Sequence, residues 1–303
     1  MEAVVVKNLT KTYGKEKTVA VDNVSFSVNQ GELFGLIGPD GAGKTSIFRM
    51  LTTLLIPDSG SAHVDGHDIV QDFRAIRSSV GYMPGKFSLY QDLTIEENLH
   101  FFATVFGTTI DENYHLIKDI YVQIELFKNR RAGKLSGGMK QKLALCCALI
   151  HKPTTLFLDE PTTGVDPVSR KEFWEMLRRL REQHITILVS TPYMDEASLC
   201  DRIALIQSGK ILSIDTPQNI VNTYPDRLLA IKANEMYKLL KVLEGHPGIL
   251  NSYAFGEYAH ATFRDAHTDT HALQAYLREH GLTGVEVKDA EVTIEDSFIK
   301  LLH

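Results

Sequence analysis

The eight residues Gly38-Pro39-Asp40-Gly41-Ala42-Gly43-Lys44-Thr45 fit the pattern G-x-x-x-x-G-K-[ST], and they follow an apolar stretch, residues 32–37, that reads as a strand. The residue types define a chemistry. Glycines let successive backbone N–H groups turn inward around a polyphosphate, Lys44 reaches its outer phosphates, and the Thr45 hydroxyl suits Mg²⁺. Residues 46–55 read as a helix with Ile47, Met50, Leu51 and Leu54 on one face, so its positive end, beginning at Ser46, points at the phosphates. A chain with this strand, loop and helix is expected to bind a nucleotide.

Two further runs carry chemistry. Thr155-Leu156-Phe157-Leu158-Asp159-Glu160 reads as a buried strand ending in two carboxylates. Asp159 can hold the hydration shell of Mg²⁺, and Glu160 can orient or deprotonate an attacking water. Before it, Leu135-Ser136-Gly137-Gly138-Met139-Lys140-Gln141 opens a helix whose buried face would be Met139, Leu143, Cys146, Cys147 and Ile150. Ser136, Gly137 and Gly138 offer a hydroxyl and bare amides at a positive helix end, which suits a γ-phosphate; the same run also reads as an ordinary helix cap. Thr163-Gly164-Val165-Asp166 forms a turn after Pro161 that could contact a partner subunit.

The surrounding pattern supplies the elements that must position these residues. Residues 3–37 alternate short β-type runs (3–7, 19–28, 33–37), and a strand at 61–64 is followed by the turn pair Asp65-Gly66. From 92 to 150 the pattern becomes helical, opening on the capping box Thr94-Ile95-Glu96-Glu97, with Ile95, Leu99, Phe102 and Phe106 spaced for one buried face. Apolar runs at 155–158 and 185–190 flank a helix over 167–183. That is a βαβ unit of a buried parallel sheet.

The composition shifts near Thr216-Pro217. Beyond it the order reads strand (228–232), helix (235–243), strand (250–255), strand (259–263), helix (270–279), strand (284–287), then a closing helix over 294–302. The order βαββαβ is the ferredoxin-like plan. Six of the twelve histidines lie here (His246, His260, His267, His271, His280, His303) and read as solvated loop positions. Only His267 and His271 stand at i,i+4 spacing, too few ligands for a metal site.

Whole-chain properties narrow the class. The 303 residues suit two domains, and a net charge of −6, from 32 basic and 38 acidic residues mixed along the chain, argues against a nucleic-acid groove. Cys146, Cys147 and Cys200 lack disulfide-framework or metal-ligand spacing, which fits a reducing cytoplasm. No apolar run approaches the ~20 residues of a membrane span and no secretion signal opens the chain. A soluble protein is expected, reaching a membrane only through a partner and never by insertion.

Taken together, these motifs resemble those of the ATP-binding subunit of ABC (ATP-binding cassette) transporters, over about residues 3–215: Walker A at 38–45, the signature at 135–141, Walker B at 155–160 and the D-loop at 163–166. The resemblance implies an α/β P-loop NTPase cassette over 1–215, with a mixed-sheet core, an antiparallel β subdomain and a helical subdomain at about 86–150. A smaller α+β domain at 217–303 would follow, similar to the accessory domain of the drug- and ion-efflux, daunorubicin-resistance-like branch. It further implies ATP and Mg²⁺ as cofactors, Tyr13 stacking on adenine, and Ser136, Gly137 and Gly138 contacting ATP in trans across a head-to-tail homo- or heterodimer. Membrane permease subunits would dock near residues 86–110, placing the chain on the cytoplasmic face of the membrane.

Three departures from the family pattern stand out. Gly85 occupies the position of a Gln that touches Mg²⁺, with Gln91 six residues on; Pro192 occupies that of a His on the γ-phosphate; Asp40 stands where Asn is usual. Proline has neither an ionisable group nor an N–H. ATP binding should survive these changes. They leave open whether the chain is an ordinary energy-coupling ATPase or a partner that mainly donates its signature to a second cassette. A soluble translation or repair protein of the same family fits less well, because the 110 residues from Thr45 to Thr155 hold only a helical subdomain.

Overall fold

The computed structural model describes residues 1–264 and 269–302, which form two compact units, Met1–Gln218 and Asn219–His303. In the first, strands β1 (Glu2–Tyr13) and β2 (Thr18–Asn29) pair antiparallel. β3 (Leu33–Ile37) then leads into helix α1 (Lys44–Leu51), and β4 (Ser59–Val64) and β5 (His67–Asp68) complete a four-stranded antiparallel sheet in the order β2-β1-β4-β5. Helix α2 (Phe73–Ser79), missed by the periodicity reading, precedes β6 (Val80–Met83).

The helical stretch resolves into α3 (Ile95–Val105), α4 (Ile110–Glu125) and α5 (Gly137–Leu149). Thr94 and Glu97 close a reciprocal capping box, and Thr109 with Glu112 closes a second. β7 (Thr155–Asp159), α6 (Pro167–Glu182), β8 (Thr186–Thr191), β9 (Arg202–Gln207), β10 (Lys210–Asp215) and α7 (Pro217–Asn222) follow. The second sheet runs β10-β9-β3-β8-β7-β6, parallel from β9 to β6 with β10 antiparallel at its edge. β3, β7 and β8 are buried throughout, as their unbroken apolar runs require. The core lies between the two sheets and α1, where Phe26 stacks on Phe34 and Phe48 meets Phe157 edge-on.

α1 is shorter than its periodicity suggested. It ends at Leu51 because Thr53 turns left-handed, at φ 62°, and Leu54, read as sharing one face with Ile47, Met50 and Leu51, is 56% exposed while those three are buried.

The second unit contains β11 (Leu228–Lys232), α8 (Met236–Glu244), β12 (Ile249–Phe255), β13 (Tyr258–Phe263), α9 (Thr270–Glu279), β14 (Glu286–Asp289) and α10 (Ile294–Leu301). Its sheet order is β12-β13-β11-β14 with every neighbour antiparallel. Leu229, Ile231, Leu239, Leu243, Leu273 and Leu277 pack one core from strands and helices. The reading of its histidines as solvated loop residues fails at His260. It lies inside β13, 5% exposed, with Nδ1 2.6 Å from Asp296 Oδ1, because alternation along that strand turns it toward α10. His267 of the spaced pair, and His303, lie outside the described residues.

Candidate functional site

Three adjacent parallel strands place the motif residues side by side. Register pairs Ile37 with Thr191 and Asp159 with Ser190, so the loop leaving β3, the carboxylates ending β7 and the end of β8 share one edge of the sheet. Open α/β sheets gather ligand-binding loops at this carboxyl edge.

The loop is shaped by backbone constraints. Gly43 adopts φ 106°, and a Cβ there would stand 2.3 Å from Ala20 O; a Cβ on Gly38 would stand 2.1 Å from Ile206 O. Gly41, at φ 78°, faces open space, so only its backbone angle requires glycine. Ala42 is buried, its N–H donates to Pro39 O, and its carbonyl accepts from Gly209 N. Ile47 N donates to Gly43 O at 3.1 Å, so the amides of Lys44, Thr45 and Ser46 ahead of it form the open first turn of α1. Asp40 is exposed on the outside of the loop.

Lys44 is 3% exposed, and its ammonium donates to Gly38 O at 2.8 Å and Pro39 O at 3.0 Å, with Glu160 Oε1 at 3.2 Å. Thr45 Oγ1 donates to Asp159 Oδ1 at 3.2 Å. Tyr13 ends β1, 41% exposed, with its hydroxyl 3.1 Å from Ser46 Oγ. Gly41, Ala42, Gly43, Lys44, Thr45, Ser46, Glu160 and Ala20 line one open depression. Asp159 is 2% exposed beneath it. The structure thus brings Tyr13, the loop, Asp159 and Glu160 together.

Glu160 carries a left-handed backbone, φ 50°, unusual for a residue with a side chain and of a kind that persists where surrounding contacts enforce it. Here Ser190 enforces it. The Ser190 hydroxyl donates to Asp159 Oδ1 at 2.6 Å, while Glu160 N donates to Ser190 Oγ and Ser190 O, both at 3.0 Å. Sequence reading passed over Ser190 as a strand end; a lone hydroxyl closing an apolar run beside Asp159 was the available signal. Ala20 left none, because it acts through its carbonyl.

Ser136, Gly137 and Gly138 lie apart from this depression among the described residues. Ser136 caps α5 by accepting from Met139 N at 3.3 Å, and Ser136 and Gly137 are exposed. A Cβ on Gly138 would stand 2.7 Å from Ser169 Oγ of α6, and one on Gly137 3.5 Å from Gly164 O, so this helix start abuts the turn at 163–166 and the helix after it. On the other side, Gly85 abuts the backbone that carries the two carboxylates, since a Cβ there would lie 3.1 Å from the main-chain carbonyl of Asp159 and 3.8 Å from Glu160 Cβ. Gln91 does not: its carbonyl accepts from Gly133 N and its side chain packs against Gly133. Pro192 follows Thr191 directly at the end of β8.

Among the described residues no cluster of His, Cys, Asp and Glu could hold a metal ion by protein ligands alone, and no helix is long and apolar enough to cross a membrane. Beside β6 lies an apolar groove lined by Leu54, Tyr82, Met83, Leu89, Phe102 and Phe106. His151 forms part of its wall, with Nε2 3.1 Å from Val80 O and its ring stacked on Phe106; burial lowers its pKa below the usual imidazole value.

A family model described as "ABC transporter" matches residues 21–163. The chain is 38% identical over 240 residues to the doxorubicin resistance ATP-binding protein DrrA of Mycobacterium tuberculosis, covering 78% of this chain and 72% of that protein. It is 35% identical over 306 residues to the Nod factor export ATP-binding protein I of Sinorhizobium fredii, covering 99% and 85%. A probable multidrug ABC transporter ATP-binding protein of Escherichia coli, YbhF, is 43% identical over 217 residues, 71% of this chain; the match spans 37% of that protein's length. Among solved structures, an ATP-binding cassette captured as a dimer after hydrolysis, bound to ADP and Pi, superposes with a TM-score of 0.64 at 26% identity, covering 70% of this chain and 98% of that one.

Proposed function

The chain belongs to the ATP-binding proteins of the ABC transporter family, and from that premise we propose that it binds MgATP at the loop 38–46 and couples its hydrolysis to export through separate membrane permease subunits. The observation that carries this reading is the meeting of Lys44, Thr45, Asp159 and Glu160 at one sheet edge, beneath amides that α1 leaves open. The amides and Lys44 would grip the phosphates, and the exposed Tyr13 ring beside Ser46 would stack on the base. Thr45 and, through water, Asp159 suit Mg²⁺, which when bound neutralises charge on the phosphate oxygens. Phosphate oxygens would compete with Glu160 for Lys44, freeing the Glu160 carboxylate to take a proton from water as it attacks the γ-phosphorus. The products are ADP and phosphate.

The apolar groove beside β6 suits a permease helix, which would hold the chain on the cytoplasmic face of the membrane. Ser136 and Gly137, exposed away from the chain's own loop, with the half-buried Gly138 beside them, suit an ATP held by a second cassette. The test is calorimetric titration of MgATP into the parent and Lys44→Ala proteins. We expect the variant to lose about 10–100-fold in affinity, since a hydrogen bond to a charged group contributes about 1.5–3 kcal/mol. Equal affinities would contradict the reading.

A second reading is favoured by Gly85 and Pro192, which bring no polar side chain to the carboxylates. In it the chain's own site turns over slowly and its signature serves a more conventional cassette. Co-purification with the products of neighbouring genes decides: a second cassette in the complex supports it, and a homodimer opposes it.

A further inference from the structure

Glu196 is 2% exposed, and its side chain accepts from three groups. Its Oε1 takes the Thr162 hydroxyl at 2.8 Å and Arg170 Nε at 3.1 Å, and its Oε2 takes the Thr191 hydroxyl at 2.5 Å. Each donor belongs to a segment that shapes the site. Thr162 stands two residues beyond Glu160, in a turn where Thr163 N donates to Glu160 O at 3.2 Å. Thr191 O accepts Gly38 N at 3.2 Å, which fixes the first residue of the phosphate loop. Arg170, in the first turns of α6, also reaches Asp195 at 3.2 Å and lies 4.3 Å over the Tyr193 ring. Tyr193 N donates to Thr191 Oγ1 at 3.1 Å. Pro192, in the middle of this segment, contributes no hydrogen bond of its own side chain.

We infer that Glu196 is a positioning residue for ATP hydrolysis, holding the turn that carries Glu160 in register with the start of the phosphate loop through Thr162 and Thr191. The inference rests on the reading of Glu160 as the group that activates water. A buried carboxylate is tolerated only while its donors are in place, so it ties the three segments firmly to one another. Removing one donor loosens the register without touching a phosphate contact.

The test uses the full chain and three variants: Thr162→Val, which keeps the shape and deletes the hydroxyl, Thr162→Ser, which restores it, and Glu196→Gln. We expect Thr162→Val and Glu196→Gln to lower kcat at least about tenfold with KM for ATP within about threefold, and Thr162→Ser to recover most of the loss. Hydrogen exchange of the ATP-loaded proteins should rise at residues 159–166 in Thr162→Val and stay at the parent level in Thr162→Ser. Parent-like turnover and exchange in Thr162→Val would overturn the inference. So would a joint fall of turnover, ATP affinity and melting temperature that Thr162→Ser fails to reverse. A parent that binds ATP without hydrolysing it would contradict the role given to Glu160 instead; exchange at 159–166 then decides, and an unchanged value overturns the positioning role.

Discussion

The two sides of the proposed nucleotide site are built from different materials. The phosphate side, residues 38–46, is made of backbone: amides at the start of α1, glycines whose Cβ atoms would strike Ala20 O or Ile206 O, and one lysine threaded beneath them. The side proposed to face the reaction is made of side-chain hydrogen bonds, in which Ser190 holds Asp159 and Glu160 directly and Thr162 and Arg170 bond Glu196 beside the turn that follows. By the resemblance drawn from the motifs, the first side departs from the family pattern only at the exposed Asp40. By the same resemblance the second departs at Gly85 and Pro192. The proposed function therefore separates grip from catalysis, and predicts that each can be weakened alone.

The largest expected effect follows on the catalytic side. Glu160→Gln keeps the shape and removes the base, so turnover should fall about 10²–10³-fold while MgATP affinity stays within about threefold. Steady-state ATPase assay and calorimetry on one preparation check both halves; a parallel loss of affinity would show the two sides to be one unit.

The phosphate side should respond to backbone changes instead. Gly43→Ala forces a Cβ to 2.3 Å from Ala20 O at φ 106°, and we expect at least about a tenfold loss of MgATP affinity. Gly85→Ala, whose Cβ would meet Asp159 O at 3.1 Å, should leave affinity within about twofold. Equal losses in the two variants would erase the distinction.

The smallest effect on ATP lies in the unit Asn219–His303. Burial would raise the Asp296 carboxyl, but hydrogen bonds from Thr293, Tyr253 and His260 outweigh it and hold the pKa below the usual carboxylate value. A carboxyl lowered on folding stabilises the folded state above its unfolded pKa, and that contribution is lost as pH falls through the folded value. At neutral pH Asp296→Asn should therefore cost this unit about 1–3 kcal/mol, with ATP affinity unchanged. The difference from the parent should close as pH falls below about 4. Hydrogen exchange over residues 219–302 of the full chain measures it, and a gap that widens in acid would refute the assignment.

What could be read in the sequence follows the same division. The loop 38–45 is local, eight consecutive residues whose glycines are required by backbone geometry, so spacing alone placed Lys44 and Thr45 where the structure has them, at the start of α1 after β3. The carboxylates were legible because they end an apolar strand. Ser190 and Glu196 were not, since their partners Asp159 and Thr162 are more than thirty positions away and meet them only through β7–β8 pairing and the turn beyond. His260 misled for a related reason: its partner Asp296 lies in α10, and no local pattern around the histidine announces a buried acceptor. Leu54 misled because helical periodicity continued past the left-handed Thr53 that ends α1.

The separation of grip from catalysis is tested most directly by returning the two missing side chains. Gly85→Gln with Pro192→His should leave MgATP affinity within about threefold of the parent and raise steady-state turnover, by up to about 10²-fold if both contacts form, because such contacts stabilise charge in the transition state. A parent already turning over at the rate of the restored protein, or a gain in affinity that equals the gain in rate, would contradict it.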